Sequence, residues 1–381
     1  MGDPSIGRGV PEELAERFVL RRCLGQGGFG VVHEAKDRAL GTDVALKELL
    51  IVDPAALYSF KQEFRALADV THPNLVGLQE LFSVGGRWYL SMDLVRGENF
   101  LHHVRPAEPG DPAGELTAEP RTLQSGLGGE TGELGDDTGA LFRSGTVSLP
   151  QATINAFART MMVGGGPAPA PPPAPPPPSE RPLRTVRGVL DVERLRAALR
   201  QLAEGVDAIH RTGRMHRDLK PSNVLVTHGG RVVILDFGLV GSFSTSSNPG
   251  VAMGTPVYMA PEQITSLDIT PAADWYAVGV MVYEALTGGP PHVTAGTSMM
   301  ALLLAKPERD PPAPRTVAPE VPEDLSALCM RLLDRDPKTR AGAAEIRRAL
   351  GGAEPASAAA PAVASSARST FVGRAAELSA L

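Results

Sequence analysis

Hydrophobic and polar positions follow two regimes along the chain. From Arg17 to Glu34 apolar and polar residues alternate around a glycine cluster, the pattern of a β-hairpin. Val44-Ala45-Leu46-Lys47-Glu48-Leu49 and Arg87 to Leu94 read as further strands. Between them, Ser59 to Val70 carries Phe60, Phe64, Leu67 and Ala68 at helical spacing, and His72-Pro73 stops it. Farther on, Asp191 to His210 sets Leu195, Leu199, Leu202, Val206 and Ile209 on one helical face, with Asp191 as candidate N-cap. Phe100 to Val104 reads as a short helix, and Val232 to Leu235 as an apolar strand. Strands with one helix come first and helices dominate after them. That order predicts an α+β fold in two lobes.

Neither pattern holds from Pro106 to Gly188, 83 residues with 15 Pro and 13 Gly, no lysine, and Phe142 and Phe157 as its aromatics. Pro167 to Pro178 is nine prolines and three alanines, a run that favours an extended rod and cannot join a core. A loop of this length is uncommon inside a compact domain, so the expectation is a disordered Pro/Gly-rich insertion. Closure entropy grows only logarithmically with loop length, which makes such an insertion tolerable. Gly351 to Ala367, rich in Ala, Ser and Pro, reads as a linker.

The 381 residues include 41 Gly and 35 Pro, and much of that excess lies in the insertion. A net charge of -6 argues against a broad nucleic-acid footprint. Cys23 and Cys329 are too few for a disulfide framework or a four-cysteine metal site. No 18-residue apolar run and no secretory leader are found, so a cytoplasmic chain without a membrane segment is expected. Six lysines stand among 37 basic residues, so any lysine needed for chemistry should be conspicuous.

Gly25-Gln26-Gly27-Gly28-Phe29-Gly30-Val31-Val32 has the spacing G-x-G-x-x-G-x-V. Such glycines let backbone N–H groups approach a phosphate. A strand, not a helix, follows them, which disfavours a dinucleotide fold, and no Gly-Lys-Ser/Thr is present for a P-loop. Seventeen residues after Gly30 comes Lys47, a cation suited to phosphate charge, and Glu63 lies on the following helix. Then come His216-Arg217-Asp218-Leu219-Lys220-Pro221-Ser222-Asn223, Asp236-Phe237-Gly238 and Ala260-Pro261-Glu262.

Taken in order, these motifs resemble eukaryotic-type (Hanks-type) serine/threonine protein kinases of bacteria, over about Phe18 to Leu350 without the insertion. The resemblance implies a bilobal kinase fold, with ATP and Mg²⁺ as cofactors and proteins bearing Ser/Thr acceptors as partners. It implies residues 17–105 as the N-lobe, hinge and start of the C-lobe, and 189–350 as the rest of the C-lobe. Residues 1–16 would be an N-terminal extension, 106–188 the insertion and 351–370 a linker. By the same resemblance Asp218 would take or orient the acceptor proton, Lys220 would contact the γ-phosphate, and Asn223 and Asp236 would hold magnesium. Lys47 would grip the α- and β-phosphates, oriented by Glu63. Leu24, Gly25, Gly27 and Gly30 would cover the nucleotide, and Val32, Ala45 and Leu225 would enclose adenine. Met92 would be the gatekeeper, with Asp93 to Val95 as hinge. His216, Leu67 and Phe237 would pack in the regulatory spine, Glu262 and Arg340 would form a buried pair, and Asp274 would brace the catalytic loop.

Leu239 to Met259 is then the expected activation segment. Arg217 before Asp218 implies activation by phosphorylation, expected among Thr245, Ser246 and Ser247, with Thr255 lining the acceptor site. Phe371 to Leu378 resembles the opening of an AAA-type ATPase module, so further ATPase or sensor domains are expected after residue 381. A pseudokinase scaffold and a small-molecule kinase are the rival readings. Intact Lys47, Asp218, Asn223 and Asp236 argue against the first, and the Gly254-to-Glu262 stretch against the second.

Overall fold

The computed structural model describes residues 11–27, 30–50, 54–107, 186–236, 256–265, 268–294 and 297–351. Helix α1 (Glu12–Arg17) leads into β1 (Phe18–Gly27), β2 (Gly30–Asp37) and β3 (Thr42–Leu49). Helix α2 (Pro54–Ala68) follows, then β4 (Leu78–Val84) and β5 (Arg87–Asp93). The five strands form one antiparallel sheet in the order β1-β2-β3-β5-β4.

Alternation along β3 gives the sheet two working faces. Val44 and Leu46 join Leu14, Phe18, Ala35 and Tyr89 in a core on one side. Ala45 and Leu49 join the main core, which runs through Phe60 and Leu67 of α2 into the helical half. Lys47 therefore leaves the strand on the main-core side. Helix α1 departs from the expected extension at 1–16. Leu14 is buried in the core on one side of the sheet while Glu12, Glu13, Ala15 and Glu16 are exposed, and one buried apolar residue in a six-residue helix offers no periodicity to read.

The second half is mainly helical. Strand β6 (Gly97–Asn99) and helix α3 (Phe100–Val104) come first, with Asn99 Oδ1 accepting the His102 N–H at 3.0 Å. Helix α4 (Val192–Arg211) has Asp191 as its N-cap, accepting the Arg194 N–H at 3.0 Å, and buries the expected apolar stripe. A 3₁₀ turn (Pro221–Asn223) leads to β7 (Val224–Thr227) and β8 (Val232–Ile234), which pair with β6 in a small sheet. Then come α5 (Pro261–Thr265), α6 (Ala272–Thr287), α7 (Met299–Glu308), α8 (Pro314–Val317), α9 (Glu323–Leu332) and α10 (Ala343–Ala349). Helix α6 is buried from Ala273 to Thr287 and ends at Gly288, whose φ of 83° suits a glycine C-cap. The α+β, two-lobed expectation holds.

Residues 108–185 of the expected insertion lie outside the described residues, but its two ends are visible. Arg105 is buried and donates from Nε to Ala285 O and from Nη1 to Gly188 O, each at 2.7 Å. Val186 N–H donates to Gly288 O at 3.0 Å. Gly188 has φ 87°, and a Cβ there would lie 2.4 Å from Pro106 O. The chain thus leaves and re-enters the fold at adjacent points beside the end of α6. Residues 352–381, with the expected linker and ATPase-like segment, also lie outside the described residues. Among the described residues no helix is long and apolar enough to cross a membrane.

Candidate active site

Two strands and one loop bring the charged residues together. Lys47, nearly buried on β3, donates from Nζ to Asp236 Oδ2 at 2.7 Å across a sequence separation of 189 residues. Burial would raise the Asp236 carboxyl, but the Lys47 charge and hydrogen bond outweigh it and hold the group below its usual value. Asp236 sits at φ 52°, a left-handed turn at the end of β8. Glu63 lies half-buried on α2.

The 216–218 turn is built on Asp274 of α6. Its Oδ2 accepts the His216 N–H at 2.7 Å and pairs with His210 Nε2 at 2.7 Å, while Oδ1 accepts the Arg217 N–H at 2.8 Å. Burial would raise this carboxyl, and the His210 hydrogen bond leads the opposing contributions that keep it low. The bonds hold Arg217 at φ 68°, a conformation uncommon for a non-glycine residue. His216 is fully buried. Its Nε2 faces Leu235 O at 2.8 Å and so donates; its Nδ1 accepts the Asp218 N–H at 3.2 Å. Those partners assign one tautomer and occupy both ring nitrogens, in keeping with a packing role.

Beyond this turn, Asp218 Oδ2 lies 2.8 Å from Lys220 Nζ. Asn223 Nδ2 donates to Asp218 O at 2.8 Å and to Asp218 Oδ2 at 3.1 Å. With its nitrogen so engaged, Asn223 keeps Oδ1 as the amide's acceptor atom. Asn223 O accepts the Leu235 N–H at 2.8 Å, joining this loop to the strand that ends at Asp236.

The residues expected on the nucleotide side lie on β1, β2, β3, β5 and β7 and just after β5. Val32 pairs with Lys47 in the β2–β3 register, and Ala45 pairs with Met92 in the β3–β5 register. Ala45 and Met92 are buried, while Leu24, Val32 and Val95 pack half-buried on the main core. Asp93 is exposed, and its N–H donates to Gly77 O at 2.9 Å. Leu225 lies half-exposed on β7 opposite Asn99. The β1–β2 hairpin pairs down to Gly27 and Gly30, with Gly25 opposite Val32. Gly30 has φ 146°, and a Cβ there would fall 1.8 Å from Glu48 O, so the backbone approach admits only glycine.

Glu262 and Arg340 make the expected buried pair, with Nη1–Oε1 at 2.5 Å and Nη2–Oε2 at 2.8 Å. Phe237, Gly238, Thr245, Ser246, Ser247 and Thr255 lie outside the described residues. Sequence reasoning missed three polar anchors: His210 on Asp274, Tyr258 OH on Glu284 at 2.8 Å, and Lys306 on the 256–259 turn. The scarcity of lysine was the one signal pointing toward Lys306. Among the described residues no group of three or more His, Cys, Asp or Glu is placed to hold a metal ion.

A two-lobed fold with a lysine on β3, an Asp-Lys-Asn loop and an aspartate after β8 defines the protein kinase class. The protein kinase domain model matches residues 18–118 and 181–349, and the chain belongs to that family. Its relatives include a probable serine/threonine-protein kinase of Streptomyces coelicolor, 26% identical over 345 residues, covering 89% of this chain and 40% of that protein. Serine/threonine-protein kinase PknA of Mycobacterium tuberculosis is 28% identical over 337 residues, 86% of this chain and 58% of the relative. PknE of the same organism is 26% identical over 328 residues, 85% of this chain and 43% of the relative. The chain thus spans between two fifths and three fifths of the length of these relatives.

Proposed function

We propose that this chain is an ATP- and Mg²⁺-dependent protein kinase that phosphorylates Ser and Thr of protein acceptors in the cytoplasm. The observation that carries the reading is the meeting of Asp218, Lys220 and Asn223 on one loop, tied through Leu235 to the strand that presents Asp236 to Lys47. The family and the relatives' names agree with it.

The donor set suits magnesium. Asn223 offers an amide oxygen and Asp236 an ionised carboxylate, two hard oxygens of the kind this ion takes alongside water and phosphate. Bound there, the ion would neutralise charge on the transferring phosphoryl group. Lys47 supplies a fixed positive charge for the phosphates, with Glu63 assigned to orient it. Gly25, Gly27 and Gly30 let the hairpin backbone close over them. Val32, Ala45 and Leu225 give the adenine ring apolar faces, and Met92 with Asp93 to Val95 forms its edge. Asp218 orients the acceptor hydroxyl and takes its proton, while Lys220, bonded to the same carboxylate, stabilises charge on the group in transit.

Arg217 has an exposed side chain directly before Asp218. Phosphate on Thr245, Ser246 or Ser247 would give it a dianionic partner and order the activation segment. Thr255 is assigned to the acceptor site. Further ATPase or sensor domains beyond residue 381 belong to the same proposal.

Purified chain with ATP and Mg²⁺, followed by phosphosite mapping, tests the reading beside an Asp218→Asn variant. The variant should lose at least about 100-fold in rate. Equal incorporation in both would refute autophosphorylation by this site, and wild type inert toward every acceptor would favour a scaffold.

A further inference from the structure

Lys306 lies on α7 and is 0% exposed, yet no step above uses it. Its Nζ is surrounded by three carbonyl oxygens of one turn: Pro256 O at 2.8 Å, Val257 O at 2.6 Å and Met259 O at 2.7 Å. A neutral amine has two N–H donors; three carbonyl acceptors around one nitrogen require the ammonium form. The ammonium also lies 5.4 Å from the Tyr276 ring centroid, within cation–π range. Among the described residues no carboxylate is paired with it. Burial opposes the charge and pushes the pKa well below the usual lysine value. A leucine or methionine would fill the same space at no such cost. The charge is therefore kept for the carbonyls it gathers.

Those carbonyls belong to the turn that faces the reacting loop. Tyr258 and Met259 line one small cavity with Arg217, Asp218 and Leu219. Side chains in and after the turn have their own anchors, Tyr258 on Glu284 and Glu262 on Arg340. Of these three anchors, Lys306 is the one that holds the 256–259 backbone itself.

We propose that Lys306 is a positioning residue for the phosphoryl acceptor, fixing the 256–259 backbone at the distance from Asp218 at which an acceptor peptide can lie between them. The proposal rests on the kinase reading above and adds that acceptor placement depends on a buried ammonium in α7. It separates two functions that a general packing defect would damage together.

The test compares wild type with Lys306→Met, using myelin basic protein as acceptor and Mg·ATP as donor. The KM for acceptor should rise about tenfold, the worth of roughly one charge-assisted hydrogen bond, while the KM for ATP stays within about twofold. Amide exchange across residues 256–262 should quicken by a similar factor, with α6 unchanged. Lys306→Gln, which keeps two N–H donors, carries the same measurements if the methionine variant does not fold. Acceptor and ATP constants rising together, or unchanged exchange across 256–262, would overturn the proposal. Wild type that phosphorylates no acceptor would sink the kinase reading, and the exchange comparison would still judge the anchor.

Discussion

Asp274→Asn removes one charge and one acceptor from the floor of the 216–218 turn. The carboxylate receives three hydrogen bonds, from His216 N–H, Arg217 N–H and His210 Nε2, at 2.7 to 2.8 Å. An asparagine has one oxygen for them. Its better orientation puts the oxygen where Oδ2 serves two donors and the NH₂ group where Oδ1 met Arg217. Arg217 N–H then faces another donor, which costs about 1–3 kcal/mol, and the two surviving bonds weaken as the acceptor loses its charge. The sum is roughly 2–4 kcal/mol. Arg217 is the residue whose restraint is lost, and its φ of 68° is itself worth about 1 kcal/mol or more of strain. The loop should relax there and carry Asp218 out of place. Trp275, edge-on to the His210 ring at 5.4 Å, gives a fluorescence signal for urea unfolding. We expect that loss in stability together with a fall in phosphoryl transfer of at least about tenfold. Stability within about 0.5 kcal/mol of wild type, with an unchanged rate, would show that Asp274 does not hold the loop.

His292 is half-buried with its Nε2 unpartnered among the described residues, and burial, aided by the charges of Lys306 and Arg309, lowers its pKa from 6.5 to about 4. The unfolded chain takes up this proton first, so the contribution is complete above pH 6.5 and is lost as pH falls toward 4. His292→Phe should remove up to about 3 kcal/mol of acid sensitivity, read as the difference in unfolding free energy between variant and wild type across that window. Glu262→Gln strands the buried Arg340 guanidinium and should cost about 3–5 kcal/mol by chemical denaturation, part of which Arg340→Met in the same chain restores. Gly30→Ala drives a Cβ into Glu48 O; calorimetry should show ATP affinity falling by about tenfold or more, and unchanged affinity would mean that the hairpin does not close on the nucleotide.

The parts of the molecule legible in the sequence are those whose signal is local. Asp191 capping α4, the apolar stripe from Leu195 to Ile209, and the hairpin around Gly25 to Gly30 each need only neighbouring residues to be recognised. The residues proposed for catalysis were legible because Asp218, Lys220 and Asn223 share one loop, and their motif fixes the spacing to Asp236. What stayed hidden depends on contacts between distant segments. Lys306 stands in a leucine-rich helix and finds its partners about 50 residues earlier, on backbone carbonyls that have no sequence signature. Leu14 betrays nothing in a six-residue helix until Phe18 and Tyr89 cover it. Arg105 looks like one more arginine in a polar stretch, though it closes a gap of 83 residues to Gly188.

That closure has a mechanical meaning. Because Arg105 and Val186 both dock at the carbonyl end of α6, the two ends of the chain running between them are held at a single point. The point lies on the most deeply enclosed helix, whose other end carries Asp274. Lengthening the intervening chain would leave both docking points, and so the place where it meets the fold, unchanged.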